Sequence, residues 1–221
     1  MIKLVQHLDG VDFKTACTVL TGEQPPKPNG KDTRATEAKK VVAAEFEYHN
    51  ADGTLVFVVE RVEYQNTDGN FVVTKDGKRK KTFRQKRPDP NRPGHWLWNV
   101  EGVPALPYKL PELIKALGVG CTVLIVEGEA KADLAQTWKI PATCCASGAK
   151  KWRAEHAVHL RGADVVILPD NDEAGREHMN IVAASLHGVA KSVPVLVLPG
   201  LPPKGDVLDW AAAGGPSSCM I

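Results

Sequence analysis

Two regimes of hydrophobic patterning divide the chain. From about residue 41 to 101 the apolar positions fall in short β-type stretches: VVAAEFEYH, LVFVVERVEYQ, KTFRQKRP and HWLWNV, rich in Val, Phe, Tyr and Trp. Turn signals at 50–53, 67–69 and 76–77 separate them, each ending in glycine. This pattern predicts a small antiparallel sheet. From 121 onward the apolar runs become continuous, near 121–126, 142–145, 164–168 and 193–198. Unbroken runs of that length suit strands buried on both faces of a parallel sheet. Helical periodicity fills the gaps near 129–138, 150–160 and 173–187, with a last short helix near 206–213. Pro111 suits the first turn of another short helix, ending near Gly118. The expected fold class is α/β: a parallel-sheet domain with helices on both faces, preceded by a small β-rich (α+β) subdomain.

The start of the chain reads differently. Leu4, Val5 and Leu8, then Val11, Phe13, Ala16, Val19 and Leu20, recur at helical spacing over 1–20. Residues 21–40 are polar and rich in Pro and Gly, as a linker is. The expected division is therefore 1–20 helical, 21–40 linker, 41–107 a basic subdomain, 108–213 the α/β domain and 214–221 a tail.

Bulk properties narrow the class. With 221 residues and 43% hydrophobic content the chain can build a real core. No apolar run reaches the roughly 18 residues that a membrane span needs, and the N-terminus lacks a signal-peptide layout, so a cytoplasmic protein with no membrane partner is expected. The five cysteines form no C-x-x-C pair, and Cys144 and Cys145 sit in an apolar segment where thiols pack as small hydrophobes. The net charge of +2 is uneven. Nine Lys/Arg against two Asp give residues 75–95 a charge of +7, leaving −5 for the remainder. A polyanion-facing surface and a merely solvated hairpin both explain that asymmetry.

The chemistry concentrates in three acidic clusters, each just past an apolar run: VLIVEGE, VVILPDNDEAG and KGDVLDW. In a parallel α/β sheet, ligands bind beyond the carboxyl ends of the strands. Glu127, Asp170, Asp172 and Asp206 therefore gather at one edge. Clustered carboxylates repel unless neutralised, and a hard divalent cation, Mg²⁺ or Mn²⁺, is the usual neutraliser. Helix capping is the plainer account of Asp172, Asp206 and Asp209, and it can coexist with metal binding. Ser147 and Gly148, at a strand-to-helix turn, suit a phosphate or sugar contact. Lys131 and Arg176 lie in first helical turns, where a helix dipole prefers acids, so each hints at an anionic ligand. His156, His159, His178 and His187 show no ligand spacing and are expected at the surface. Trp96 and Trp98 are expected in the core rather than stacked on a base.

The order VEGE, PDNDEAG, KGDVLDW within a four-strand α/β unit resembles a Toprim domain, over about residues 108–213. Toprim is the metal-binding catalytic module of bacterial-type primases, type IA and type II topoisomerases and some nucleases. The upstream stretches EFEYHNADGTLVFVVERVEY, KKTFRQKRP and HWLWNVEGVPALPYKLPEL resemble phage and plasmid primases or primase-helicases, in which a small basic subdomain precedes Toprim. The opening LVQHLDGVDFKTACTVLTGE is similar to the tail that follows their zinc-binding module. Neither zinc ligands nor a G-x-x-x-x-G-K-[ST] motif is present, so a polymerase-core fragment or shortened gene product is expected.

The resemblance implies a DNA primase, a nucleotidyltransferase that makes short RNA primers. It implies single-stranded DNA template and ribonucleoside triphosphates as partners, with a replicative helicase or zinc-binding module supplied elsewhere. It implies Glu127 as a metal-linked acid/base, Asp170 and Asp172 as paired metal ligands, and Asp206 as the third acidic position, with Lys131, Ser147, Gly148 and Arg176 around the nucleotide. Lys80, Lys81, Arg84, Lys86 and Arg87 fall on the basic surface that guides template or nucleotide phosphates. Two other classes stay open: a Toprim nuclease or topoisomerase, and a non-catalytic nucleic-acid-binding module. A topoisomerase needs a tyrosine nucleophile, and Tyr48, Tyr64 and Tyr108 all precede the acidic clusters.

Overall fold

The structure, a computed structural model, describes residues 38–75, 77–148 and 150–214. The expected helices over 1–20, most of the linker and the tail from 215 lie outside the described residues. Two compact units are distinguished. The described part of the first is short, comprising residues 38–39 and 65–70. Within it Asn66 shapes a turn, its Oδ1 accepting from the backbone N–H of Asp68 at 3.1 Å and of Asn70 at 2.9 Å. The second, comprising Lys40–Tyr64 and Phe71 onward, carries the two sheets and the helices.

The first sheet has the order β1 (Lys39–His49), β2 (Leu55–Gln65), β3 (Lys81–Pro88), β4 (Trp96–Leu97). β2 pairs antiparallel with β3, and β3 with β4. Alternation along β1 and β2 turns Phe46, Tyr48, Phe57 and Val59 inward. The second sheet is parallel, in the order β6 (Ala142–Thr143), β5 (Val123–Ile125), β7 (Val165–Ile167). Its helices are α1 (Leu110–Gly118), α2 (Glu129–Thr137), α3 (Ala154–Ala157), α4 (Glu173–Leu186) and α5 (Val207–Ala212). α1 and α2 pack on β5 and β6, α4 on β7, α3 on α4 and α5 on α2. Val123, Ile125, Val165 and Ile167 are almost wholly buried between them, each contributing about 1.5–3 kcal/mol by leaving water. The mixed α/β class is the one the patterning predicts.

Three expectations need correction. The run at 193–198 is not a full fourth strand. It meets β7 only through single parallel bridges, Asp164 with Ser192 and Ile167 with Val195. Pro194 has no N–H to give, although its carbonyl accepts from Ile167 at 2.9 Å, and Leu196 donates back to Ile167 at 2.8 Å. Val195, Leu196 and Val197 are exposed along this edge. Helix α3 spans only Ala154–Ala157, followed by a 3₁₀ turn at Val158–Leu160, because Lys150 takes a left-handed and Arg153 an extended backbone conformation, neither of which a helix can contain. His156 and His178 are buried rather than surface residues. Each accepts from a backbone N–H: His156 Nδ1 from nearby Arg153 at 3.0 Å, and His178 Nδ1 from Lys150, 28 residues earlier, at 3.2 Å. His156 also stacks on Trp152 at 5.0 Å.

A polar network inside the core joins the two sheets. Tyr48 stacks on Phe57 at 4.3 Å, and its hydroxyl donates to Glu129 Oε1 at 2.9 Å. Tyr108 N–H donates to the Cys144 carbonyl at 2.9 Å, and Thr143 Oγ1 donates to the Tyr108 carbonyl at 2.8 Å. Glu129 is the first residue of α2, and burial raises its pKa. Tyr48→Phe removes the donor and leaves a buried carboxyl oxygen unpaired, which costs about 1–3 kcal/mol. Urea unfolding of the two chains measures that loss. Adding Glu129→Leu recovers much of it, because no polar group is then stranded.

Candidate metal and nucleotide site

β5 and β7 of the parallel sheet each lead into an acidic turn, and the third acidic cluster follows the bridged run at 193–198. β5 runs into Glu127 and Gly128, and Gly128 has φ 100°, a conformation open to glycine and strained for any other residue. β7 runs through Asp170 and Asn171 to Asp172, which caps α4 by accepting from Gly175 N–H at 2.8 Å. Asp206 caps α5, accepting from Leu208 N–H at 2.8 Å and Asp209 N–H at 3.2 Å, while Asp209 Oδ2 accepts from Asp206 N–H at 3.0 Å. The capping account of Asp172, Asp206 and Asp209 is therefore correct as far as one carboxylate oxygen of each reaches. Asp209 is spent on that cap.

Glu127, Asp170, Asp172 and Asp206 line one cavity of about 380 Å³. Ser147, Gly148, Lys81 and Lys131 line it too, as do Arg61, Lys78 and Lys204. Lys131 crosses the acidic cluster. Its ammonium donates to both Asp170 oxygens, at 2.5 Å to Oδ1, and lies 3.3 Å from Asp206 Oδ2. The anion that its helical position hinted at is thus internal in this structure. Arg176 pairs with Glu173 at 2.8 Å and is not among the cavity-lining residues.

Electrostatics here follow from crowding. Burial, then the charge of Asp170, pushes Glu127 up to about 7, against the pull of Lys131. Burial also raises Asp170, again against Lys131 and with the help of Asp206 and Asp172. For Asp206, burial pushes upward, but Lys131 and the N–H groups of Asp209 and Leu208 outweigh it and hold the carboxyl below its usual range. Glu127 Oε1 is buried with no hydrogen-bond partner.

That orphaned oxygen, amid an all-carboxylate donor set, fits a hard divalent cation. Among the described residues no three His, Cys, Asp or Glu side chains stand close enough, as placed, to hold one ion together. Lys131 is what occupies the space between Asp170 and Asp206.

A pH dependence follows. Glu127 keeps its proton up to about 7 in the folded chain, against an ordinary 4.5. Between those values the folded state holds a proton that the unfolded state has released, so stability falls as pH rises through the window, by on the order of 1–2 kcal/mol after solvent screening. His178 acts oppositely: burial, then Lys131, lowers it to about 4, so its contribution is lost as pH falls from 6.5 toward 4. Glu127→Gln removes only the first effect. The two effects oppose each other between pH 5 and pH 8, so urea unfolding in the presence of a chelator is expected to show the variant gaining more stability than the parent as pH rises from 5 to 8.

Of Lys80, Lys81, Arg84, Lys86 and Arg87, Lys81 lines the cavity and the other four do not. Arg84 donates to Glu60 at 2.5 Å, and Lys86 to Glu60 at 2.5 Å and Glu45 at 2.6 Å. Glu60 is only 2% exposed, so part of this positive charge neutralises a buried carboxylate. Arg87 donates to Asn99 Oδ1 at 3.2 Å, and Lys80 lies 5.1 Å over the Tyr64 ring. The tryptophans are not core residues: Trp96 is 39% and Trp98 55% exposed. The Arg84 guanidinium lies 4.3 Å from the Trp98 ring and the Lys86 ammonium 4.7 Å from that of Trp96. Cations cover this face of β3 and β4, leaving rings partly open to solvent.

Several site residues escape sequence reasoning. Arg61 and Lys204 read as ordinary polar positions, and Lys78 only as one charge of the basic segment 75–95. Asn171, between the paired aspartates, exchanges backbone hydrogen bonds with Gly205 and Lys204 at 2.9 Å, and its side chain donates to the carbonyls of Leu201 and Pro202 at 3.0 Å. It fastens the loop of the third acidic cluster to the turn of the second. Gly175 passes so near that a Cβ there would lie 2.4 Å from the Asp170 carbonyl oxygen. A glycine in the first turn of a helix costs about 1 kcal/mol relative to alanine, and that cost was the available signal.

No protein-family model matches the chain, and no curated protein matches it. Two solved structures are similar to it. One is the primase of Aquifex aeolicus, in its zinc-binding and RNA polymerase domains, with 17% identity, 96% of this chain covered and a TM-score of 0.50. The chain spans 46% of that structure's length. The other is bacteriophage T7 lagging-strand DNA polymerase interacting with primase domains of two gp4 subunits bound to an RNA/DNA hybrid and dTTP, with 20% identity, 71% of this chain and 72% of that one covered, and a TM-score of 0.36. Among the described residues no helix is long and apolar enough to cross a membrane. At the level of fold, the chain is a primase-like α/β protein.

Proposed function

We propose that this chain is the RNA polymerase core of a DNA primase, with a basic subdomain over 41–107 and a Toprim catalytic domain over 108–213. Its reaction is metal-dependent synthesis of short RNA primers on single-stranded DNA. One observation carries the reading: carboxylates from three separate turns, Glu127, Asp170 with Asp172, and Asp206, share a cavity with the cations Arg61, Lys78, Lys81 and Lys204. Phosphoryl transfer needs that pairing of metal-binding acids with phosphate-binding bases.

Asp170, Asp172 and Asp206 would hold Mg²⁺ or Mn²⁺, with Glu127 at their side. When bound, the metal would activate the primer 3′-hydroxyl and steady the pyrophosphate. The chain's own groups do the rest. Arg61, Lys78, Lys81 and Lys204 bind the triphosphate by charge. Glu127, protonated up to about 7 without metal because of burial and the charge of Asp170, would be freed as a base for the attacking hydroxyl when a divalent ion offsets that charge. Ser147 and Gly148 sit where a sugar or phosphate would pass. The rings of Trp96 and Trp98, beside Arg84 and Lys86, suit stacking of template bases. The likeness to the Aquifex aeolicus primase supports the fold that this reading requires.

The test is incorporation of labelled ribonucleotides on single-stranded DNA with Mg²⁺ or Mn²⁺. Short products that disappear on adding a chelator are expected. Absence of product both from the chain alone and with a primase zinc-binding module added in trans would overturn the reading.

A further inference from the structure

The geometry points to Lys131 as an internal stand-in cation, which holds the acidic site together without metal and must be displaced when a divalent ion binds. This rests on the reading of Asp170 and Asp206 as metal ligands. Lys131 lies in the first turn of α2, where the helix dipole disfavours positive charge, and its side chain is only 10% exposed. Something must offset both penalties, and the partners present are carboxylates. Among the described residues, the ion pairs of Asp170 and of Asp206 both run to Lys131. A single ammonium thus bridges two turns that would otherwise repel each other.

The substitution is incomplete. The ammonium serves Asp170 and Asp206 and leaves buried Glu127 Oε1 without a partner. Of the four carboxylates, the ammonium pairs only with Asp170 and Asp206. A divalent ion carries twice its charge and has the coordination capacity to engage oxygens beyond the three that Lys131 meets. Both cations cannot occupy the same space between Asp170 and Asp206, so they compete. The metal affinity of the chain is set by the difference, and the displaced ammonium is then free for an anion in the same cavity.

Mn²⁺ binding to the full chain, followed by calorimetry and by electron paramagnetic resonance at pH 8, tests this without any turnover. Lys131→Met is expected to bind Mn²⁺ about tenfold more tightly than the parent chain, since a competing unit charge is removed. Its melting temperature without metal is expected to fall, and to recover on adding Mn²⁺ by more than the parent's changes. A folded Lys131→Met chain that binds Mn²⁺ no more tightly than the parent overturns the inference. If the variant fails to fold, the lysine ammonium resonance of the parent decides. It is expected to shift or exchange away on saturation with Mg²⁺, and an unchanged resonance overturns the inference. If neither chain binds Mn²⁺, the metal reading of the site itself has failed, and this inference with it.

Discussion

On the proposed reading, Asp170→Asn is expected to abolish metal-dependent primer synthesis, with a loss of about 10³-fold or more, because the proposed metal site would lose a charge. Asparagine is the more informative replacement. Asp170 is the main partner of the buried Lys131, and Asp170→Ala would strand that ammonium with Asp206 alone. Breaking a buried pair from one side costs about 3–5 kcal/mol, enough to confuse an activity defect with unfolding. Asparagine keeps one oxygen for Lys131. Single-turnover ribonucleotide incorporation beside thermal unfolding separates the two effects. A folded Asp170→Asn chain that synthesises primers at the parent rate would remove Asp170 from the site.

Gly175→Ala is the second large effect, and it involves no charge at all. The new methyl carbon would meet the Asp170 backbone oxygen at 2.4 Å, with the Asp170 backbone carbon and nitrogen each at 3.0 Å. Backbone atoms at the end of β7 cannot rotate aside as a side chain does, so either α4 or the acidic turn must shift. Overpacking of this kind costs about 1–3 kcal/mol. Gly175 N–H is also the donor that fixes Asp172, so the displacement reaches a second carboxylate. Mn²⁺ binding is therefore expected to weaken even where the variant remains folded. Circular dichroism with a metal titration checks both halves.

How much of this was legible in the sequence depends on whether a feature is local. The three acidic turns were visible because each follows an apolar run, and strand-end placement brings such turns to one edge. The capping roles of Asp172 and Asp206 were visible for the same reason. The cation wall was not. Arg61 sits in the middle of β2 between Glu60 and Glu63, where a charge among acids looks like one half of a surface ion pair; only its register opposite Phe83 of β3 and the course of the later loops bring it to the cavity. His156 and His178 were misjudged because a neutral imidazole buried against a backbone N–H leaves no spacing pattern. Trp96 and Trp98 were misjudged because their size suggested a core, whereas the neighbouring face is covered by the side chains of Arg84 and Lys86. Lys131 hints in the sequence at an anionic ligand; what it faces in this structure is Asp170 and Asp206.

Asn171 has a kinetic consequence. The segment bearing Asp206 follows an edge that touches β7 through isolated bridges, and it is held by the four hydrogen bonds of Asn171, by the Lys131–Asp206 pair, by Lys78 on the Lys204 carbonyl and by the packing of α5 on α2. Opening it requires neither melting of β5 and β7 nor exposure of their aliphatic core. Once those contacts break, the third carboxylate can leave and return at lower free energy than global unfolding. In amide exchange, the N–H groups of Asn171, Lys204 and Leu208 should form a fast-opening set, distinct from Val123 and Val165, and close together when a divalent ion binds. Release of the ion, and with it the rate at which the site empties between turnovers, would then be paced by this flap rather than by the sheet.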